Sequence, residues 1–228
     1  MKYDVILFDA ADTLFTTRGS VGEIYGEVAR KYGSTSSSEE IQLAFLRQFR
    51  HSGPLTANDE KQWWRDVVFR VFGDVGMISN FDRFFDEVYE KFRDSRGWCL
   101  FPETMEVLKE LQMRKYSLGV ISNFDSRIYS VMKALDILEY FSSITISSET
   151  GFAKPHPGIF KAAIQAAGVP ASRILFIGDS LENDVQAGAA AGLHTILIDR
   201  NGRYSSIGSI VSIRNLNDLS NQILTRPR

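Results

Sequence analysis

The sequence is poor in cysteine and has almost no excess charge of either sign. Among 228 residues there is a single cysteine, Cys99, so the chain can form neither an internal disulfide framework nor a cysteine metal cluster. The formal net charge is −2, which gives no electrostatic reason to expect a nucleic-acid or membrane partner. The three histidines (His51, His156 and His194) show no spacing typical of metal ligands. These absences exclude a disulfide scaffold and argue against a strongly basic binding protein.

Long apolar runs are also missing. No run approaches the roughly 18 apolar residues of a membrane-spanning helix. The first predicted strand begins too near Met1 to leave room for a signal peptide, so we expect a cytoplasmic protein. What remains is ordinary for a globular chain, with 44% hydrophobic and 24% charged residues. The length allows one large domain or a core with a smaller inserted one.

Two kinds of periodicity divide the chain. Between about Ser20 and Arg96, apolar residues recur every three or four positions, which predicts four helices in succession. Before and after this segment, short apolar runs alternate with helical stretches, which is typical of a parallel sheet with helices on both faces. The predicted helices of the insert are 21–32, 38–49, 59–72 and 80–93, and the predicted strands are 5–8, 116–121, 144–147, 174–177 and 194–198. The predicted helices between and after these strands are 102–113, 126–135, 159–167, 184–191 and 216–224. We therefore predict an α/β fold, a doubly wound parallel sheet interrupted by a four-helix bundle.

Polar residues stand directly after several of the apolar runs. They are Asp9, the pair Ser122-Asn123 and Asp179, with Lys154 in the loop after another run and Asp184 five residues beyond Asp179. The carboxyl ends of parallel strands meet at one edge of a sheet, where α/β proteins bind their ligands. Carboxylates act as nucleophiles or Mg²⁺ ligands, amides at a helix start bind anions, and a lysine offsets negative charge. Together these residue types describe phosphoryl transfer to Asp9.

In this order the motifs resemble those of the haloacid dehalogenase-like hydrolase superfamily, over nearly the whole chain. The resemblance rests on Asp9 with Thr13, Ser122-Asn123, Lys154-Pro155, and Gly178-Asp179 with Asp184. Within the superfamily, residues 121–125 and 148–155 are similar to the group around haloacid dehalogenase-like hydrolase domain-containing protein 3 and the rhythmically expressed gene 2 protein. The resemblance implies a Rossmann-like hydrolase core, residues 1–16 and 96–228, and a helical cap, residues 17–95.

The resemblance also implies a nucleophile and a metal site. Asp9 would attack phosphorus to form an aspartyl-phosphate, and it would also bind Mg²⁺. The residue at position 11 would offer the ion its backbone carbonyl, which Ala11 retains. Asp179 would ligate Mg²⁺, and Asp184 would complete or support the metal site.

The remaining implied residues serve the substrate. Thr13, Ser122 and Asn123 would bind the phosphate, and Lys154 would orient Asp9 and neutralise charge. The implied reaction is Mg²⁺-dependent hydrolysis of a small phosphorylated metabolite, a phosphomonoester, with no nucleic-acid or membrane partner.

One position departs from the phosphatases of the superfamily. Two residues after the nucleophile they carry an aspartate that acts as general acid/base, and this chain has Ala11. Such a group contributes about 10²–10⁴-fold to the rate, so we expect slow turnover. We interpret Asp12 as a cap of the following turn. Two alternatives stay open: a weak or inactive relative that binds phosphate and metal, and a metal-free 2-haloacid dehalogenase, against which Gly178-Asp179 argues.

Overall fold

A six-stranded parallel sheet forms the centre of the fold in the computed structural model, which describes residues 3–55, 59–204 and 210–219. The strands in chain order are β1 (Val5–Phe8), β2 (Phe15–Thr17), β3 (Trp98–Leu100), β4 (Ser117–Ser122), β5 (Ser143–Ile146), β6 (Ile174–Gly178), β7 (His194–Ile198) and β8 (Ser212–Ile213). The main sheet has the order β5-β4-β1-β6-β7-β8. Phe8 of the central strand lies between Val120 and Ile177, so the ends of β4, β1 and β6 are neighbours.

Helices cover both faces of this sheet, as the alternating pattern predicts. The α-helices in the described part are α1 (Val21–Arg30), α2 (Ser38–His51), α3 (Glu60–Val75), α4 (Phe81–Lys91), α5 (Thr104–Met113), α6 (Arg127–Ala134), α7 (Ser147–Thr150), α8 (Pro157–Ala167) and α9 (Ala187–Ala190). Among residues 3–55, 59–204 and 210–219, no helix is both long and apolar enough to cross a lipid bilayer. The helix predicted over 216–224 lies mostly outside the described residues.

Helices α1 to α4 occupy the segment predicted as the cap. Ser20 and Ser37 each begin a helix with a capping box, and Asp59 accepts a hydrogen bond from the backbone N–H of Gln62. The apolar faces of the four helices form a cluster of their own, separate from the clusters on the sheet. Burying each large aromatic side chain of this cluster contributes about 1.5–3 kcal/mol. The domain limits at residues 16/17 and 95/96 stay a prediction.

A small second sheet lies at the base of the helical insert and was not predicted. Strands β2 and β3 pair antiparallel, with Phe15 opposite Leu100, and they bring the two ends of the insert together. Each strand has only three residues, which is too short for an alternating pattern to reveal. A second difference follows β6, where Leu181–Gln186 form a π-helical turn before α9, although the sequence predicted a helix from Asp184.

Candidate active site

Lys154 lies between two aspartates at the carboxyl edge of the main sheet. Its Nζ atom donates to Asp9 Oδ1 at 2.7 Å and to Asp184 Oδ1 at 2.6 Å. The side chains of all three residues are buried. Burial favours the neutral amine, but the charges of Asp184 and Asp9 outweigh it and raise the pKa of Lys154 above its ordinary range. Lys154 is therefore a fixed positive charge in direct contact with Asp9.

The π-helical turn after β6 brings Asp184 to Lys154. The backbone N–H of Ser180 donates to the second carboxylate oxygen of Asp184 at 2.9 Å. A Cβ atom at position 178 would lie only 2.4 Å from the carboxylate carbon of Asp184. Glycine is thus the residue that allows Asp184 to approach β6, which gives the Gly178-Asp179 motif a steric reason. Turns of this type occur frequently at functional sites.

Asp179 completes a cluster of three carboxylates. Oxygen atoms of Asp9, Asp179 and Asp184 all lie within 4.8 Å of one another. Burial, followed by the negative charges of Asp9, Asp184 and Asp12, raises the pKa of Asp179 to about 8. A cation among these oxygens would relieve the repulsion, and carboxylate oxygens are the ligands that Mg²⁺ takes in proteins. The donor set therefore fits a hard divalent cation.

Asn123 supports Lys154 through the backbone. The Asn123 side chain donates from Nδ2 to the carbonyl of Lys154 at 2.9 Å and accepts from the N–H of Lys154 at 2.6 Å. Ser122, which precedes Asn123 in the chain, is the last residue of β4, and its side chain is buried. Thr13 is fully buried, and within the described residues its Oγ1 has no hydrogen-bond partner. Thr13 therefore leaves a buried hydroxyl, unpaired in the described part of the chain, in the turn that follows Asp9.

Ala11 and Asp12 lie in the turn between β1 and β2. Ala11 is half-buried and borders a cavity of about 450 Å³ that extends into the helical insert. Asp12 is exposed, has the left-handed φ of 61°, and accepts a hydrogen bond from the Thr16 hydroxyl at 2.8 Å. This contact agrees with the interpretation of Asp12 as a turn-stabilising residue.

One contact between the insert and the sheet was missed by sequence reasoning. The indole of Trp64 in α3 donates to Asp125 Oδ2 at 2.5 Å, and Arg127 pairs with the same buried carboxylate. The sequence alone predicts Trp63 and Trp64 as core residues of the helical bundle. Both tryptophans pack against the apolar cluster of the insert, and Trp64 in addition bonds to Asp125, a contact that no local sequence pattern indicates.

The role of Arg200 was also not predicted from the sequence. Its side chain stabilises the turn that follows Asp9. It donates to the backbone carbonyls of Asp12 at 3.3 Å and Thr13 at 2.8 Å, and it pairs with Glu103. These partners lie far apart in the chain, so no local pattern reports the contact. The turn carrying Ala11 is therefore held by a residue that follows β7, two strands away from β1 in the sheet.

Comparison with known proteins shows to which family the chain is similar. The sequence profile of haloacid dehalogenase-like hydrolases matches residues 3–192. Haloacid dehalogenase-like hydrolase domain-containing protein 3 of Danio rerio is 30% identical, over 86% of this chain and 84% of that protein. The rhythmically expressed gene 2 protein of Drosophila melanogaster is 27% identical, over 86% of this chain and 83% of that protein. The group expected from the motifs is thereby confirmed.

Solved structures share the fold over almost the full length. A HAD phosphatase from Thermococcus onnurineus is 24% identical with a TM-score of 0.67, covering 98% of both chains. A 2-haloacid dehalogenase from Pseudomonas syringae is also 24% identical, with a TM-score of 0.70, over 97% of this chain and 98% of that one. At this identity the likeness confirms the predicted architecture of the sheet, and the choice of reaction depends on the site residues.

Proposed function

The chain belongs to the haloacid dehalogenase-like hydrolase family, and from this premise we propose that it is a Mg²⁺-dependent hydrolase of small phosphomonoesters. The observation that carries the proposal is the contact of Lys154 with both Asp9 and Asp184. A charged lysine in contact with the carboxylate orients it and offsets negative charge during the attack on phosphorus. The substrate is a small phosphorylated metabolite, with no nucleic-acid or membrane partner.

Asp9 takes part in both chemical steps, first as the nucleophile and then as the leaving group. Its carboxylate oxygen attacks phosphorus, the bond from phosphorus to the leaving oxygen breaks, and an aspartyl-phosphate forms. Lys154 offsets the negative charge on the transferred group, and the hydroxyls of Thr13 and Ser122 donate to its oxygens. Water then attacks phosphorus, which releases inorganic phosphate and restores the Asp9 carboxylate.

The metal is held by Asp9, Asp179 and the backbone carbonyl of Ala11 in this proposal. Asp184 has one oxygen on Lys154 and the other on the N–H of Ser180, so it supports the metal site from beside the lysine. When bound, Mg²⁺ supplies positive charge that neutralises the transferring phosphoryl group. The three carboxylates within 4.8 Å and the raised pKa of Asp179 support this assignment.

Mg²⁺ is expected to stabilise the metal-free protein at pH 8. The pKa of Asp179 is about 8 in the folded protein and about 3.9 in the unfolded chain. Because the folded state holds this proton more tightly, protonated Asp179 stabilises the folded state at low pH. That contribution is lost as the pH rises to 8, and Mg²⁺ replaces the proton. At a hundred times the Kd, the gain is about 2.7 kcal/mol, or roughly 5–10 °C in Tm. Calorimetry after EDTA treatment measures it, and phosphatase activity should require the added Mg²⁺.

Asp179→Asn is the matched variant for this measurement. The amide removes one negative charge, so the metal-free variant should be more stable than the natural protein at pH 8. It should gain little stability from Mg²⁺. An equal gain in the variant would show that the ion binds elsewhere and would overturn the assignment of Asp179.

Ala11→Asp is expected to raise the turnover of alkyl phosphates by about 10²–10⁴-fold. The natural side chain cannot protonate a leaving alkoxide, and the new carboxyl group can. Aryl and acyl phosphates should gain less, because their leaving groups depart with less protonation. The measurement is kcat for glycerol phosphate and for p-nitrophenyl phosphate, both with Mg²⁺.

Ala11→Asn controls for the added volume, since it has the shape of aspartate without the acid. It should give no gain. Rapid hydrolysis of alkyl phosphates by the natural protein would contradict the hypothesis that it lacks a proton donor for the leaving group. No change in Ala11→Asp would mean that another group, or no group, fills that role.

Ala11 also supports a second candidate function, a relative that binds phosphate and metal but turns over poorly. Such a protein would bind inorganic phosphate with Mg²⁺ and show little hydrolysis even of aryl phosphates. The metal-free dehalogenase alternative is less favoured, because dehalogenation has no use for a cluster of carboxylates whose repulsion calls for a cation.

A further inference from the structure

The cavity that Ala11 borders is rich in aromatic side chains, which make up eight of its eighteen lining residues. It has a volume of about 450 Å³ and lies between the turn after β1 and the helices of the insert. Its wall includes Phe45, Phe49, Trp64, Tyr89 and Trp98. Pockets of roughly 300–1,000 Å³ hold small organic ligands, so this cavity has room for one or two aromatic rings.

The one cationic side chain on this wall, within the described residues, is already paired. The Arg127 guanidinium donates to both oxygens of Asp125, at 2.8 and 2.6 Å, and its side chain is only 8% exposed. It also stacks on the rings of Tyr89 and Trp64, with its Cζ 4.2 and 5.0 Å from their centroids. Arg127 therefore forms part of the cavity wall, and its charge is already neutralised by Asp125, so it does not attract a second anionic group of a ligand.

The polar groups near Ala11 also disfavour a charged ligand moiety. The carboxylate of Asp12 borders the cavity and would repel a second phosphate or a carboxylate. Gln42, another polar lining residue, accepts a hydrogen bond from the N–H of Gly22 at 2.8 Å. The cavity thus offers aromatic surface to an uncharged group.

The chemistry at Ala11 points independently to the same kind of group. Without an acid at this position, the leaving oxygen must carry its negative charge unaided. An aryl oxide does so by spreading the charge into its ring, as the pKa of about 10 for tyrosine shows against about 15.7 for water. Acyl leaving groups are equally competent, but a small acyl group would leave the aromatic wall without contacts.

We infer that the cavity takes the uncharged aromatic leaving group of an aryl phosphate. This inference rests on the proposed function for the position of the phosphate, and it adds the class of the alcohol. Contact with the aromatic wall selects aryl over acyl phosphates of similar reactivity. Burial of such a ring is expected to lower KM roughly 10- to 100-fold relative to a small acyl phosphate.

The test has a binding arm and a kinetic arm. The binding arm titrates the natural protein with 1-naphthol, a neutral probe, and follows the heat of binding by calorimetry. The kinetic arm compares kcat/KM for 1-naphthyl phosphate with that for acetyl phosphate, both with Mg²⁺. Saturable binding of naphthol and a lower KM for the naphthyl ester are expected.

Phe49 and Phe69 give a matched pair of variants. Both are exposed to a similar degree, 44% and 46%, and both pack on another ring, but only Phe49 borders the cavity. Phe49→Ala should weaken naphthol binding about tenfold and lower the naphthyl-to-acetyl ratio of kcat/KM by a similar factor. Phe69→Ala should leave both within twofold of the natural protein.

The outcomes separate this inference from the proposed function. Hydrolysis of acetyl phosphate without saturable naphthol binding, or equal effects of the two variants, would overturn the inference and leave the phosphatase proposal standing. Naphthol binding that Phe49→Ala weakens, in a protein that hydrolyses neither ester, would support the aryl site and overturn the phosphatase proposal.

Discussion

Asp9→Asn should abolish turnover, with kcat for an aryl phosphate falling by at least about 10⁴-fold. The amide of asparagine does not attack phosphorus, and no aspartyl-phosphate can form. The fold should survive, because the amide oxygen can still accept from Lys154, which now lies 2.7 Å from Asp9 Oδ1. The metal-free variant should be at least as stable as the natural protein, since Asp9 is one of the charges that raise the pKa of Asp179. Steady-state kinetics and thermal unfolding measure the two effects.

Asp12→Asn makes the same chemical change three residues along the chain. Asp12 is exposed and bonded to Thr16, so we expect kcat for the aryl phosphate to stay within about threefold. A loss of tenfold or more would mean that Asp12 takes part in the proton transfer that Ala11 cannot perform. Retained turnover in Asp9→Asn would refute the nucleophile itself.

The approach of Asp9 and Asp179 could be predicted because the fold fixes where strands end. An apolar run that is followed by a polar residue predicts a buried strand, and it also predicts that this residue lies at the carboxyl end of the strand. Strand β1 lies between β4 and β6, so residues that follow these runs meet. The convergence of the site is thus a property of the strand order, which the structure gives, whereas the sequence locates the strands and the residues that follow them.

Contacts made across the insert could not be predicted in this way. The bond from Trp64 to Asp125 joins residues 61 positions apart, and it depends on how the helical insert meets the sheet. Periodicity assigns a face to a helix but does not say which partner that face meets. The cavity beside Ala11 could not be predicted either, because side chains from several separate elements form its wall.

Replacing Lys154 with methionine should lower the free energy of unfolding by about 3–5 kcal/mol in the absence of Mg²⁺. The lysine is buried and pairs with two buried carboxylates, and its removal leaves three carboxylates without a counter-charge. Burial and the charge of Asp9 already raise the pKa of Asp184, and without Lys154 the rise is larger. Because the folded pKa lies above the unfolded one, the loss should grow as the pH rises from 5 to 8. Urea denaturation at both pH values measures it.

Two further variants determine whether charge, rather than packing, sets this loss. Lys161→Met removes an exposed lysine from α8 and should change stability by no more than about 0.5 kcal/mol. Adding Asp184→Asn to Lys154→Met removes one of the stranded carboxylates, so it should restore part of the lost stability. If the double variant were less stable than Lys154→Met, the lysine would act mainly by filling space. Restoration would instead indicate that Lys154 and the carboxylates form one electrostatic unit, in which the lysine offsets the negative charges of Asp9 and Asp184.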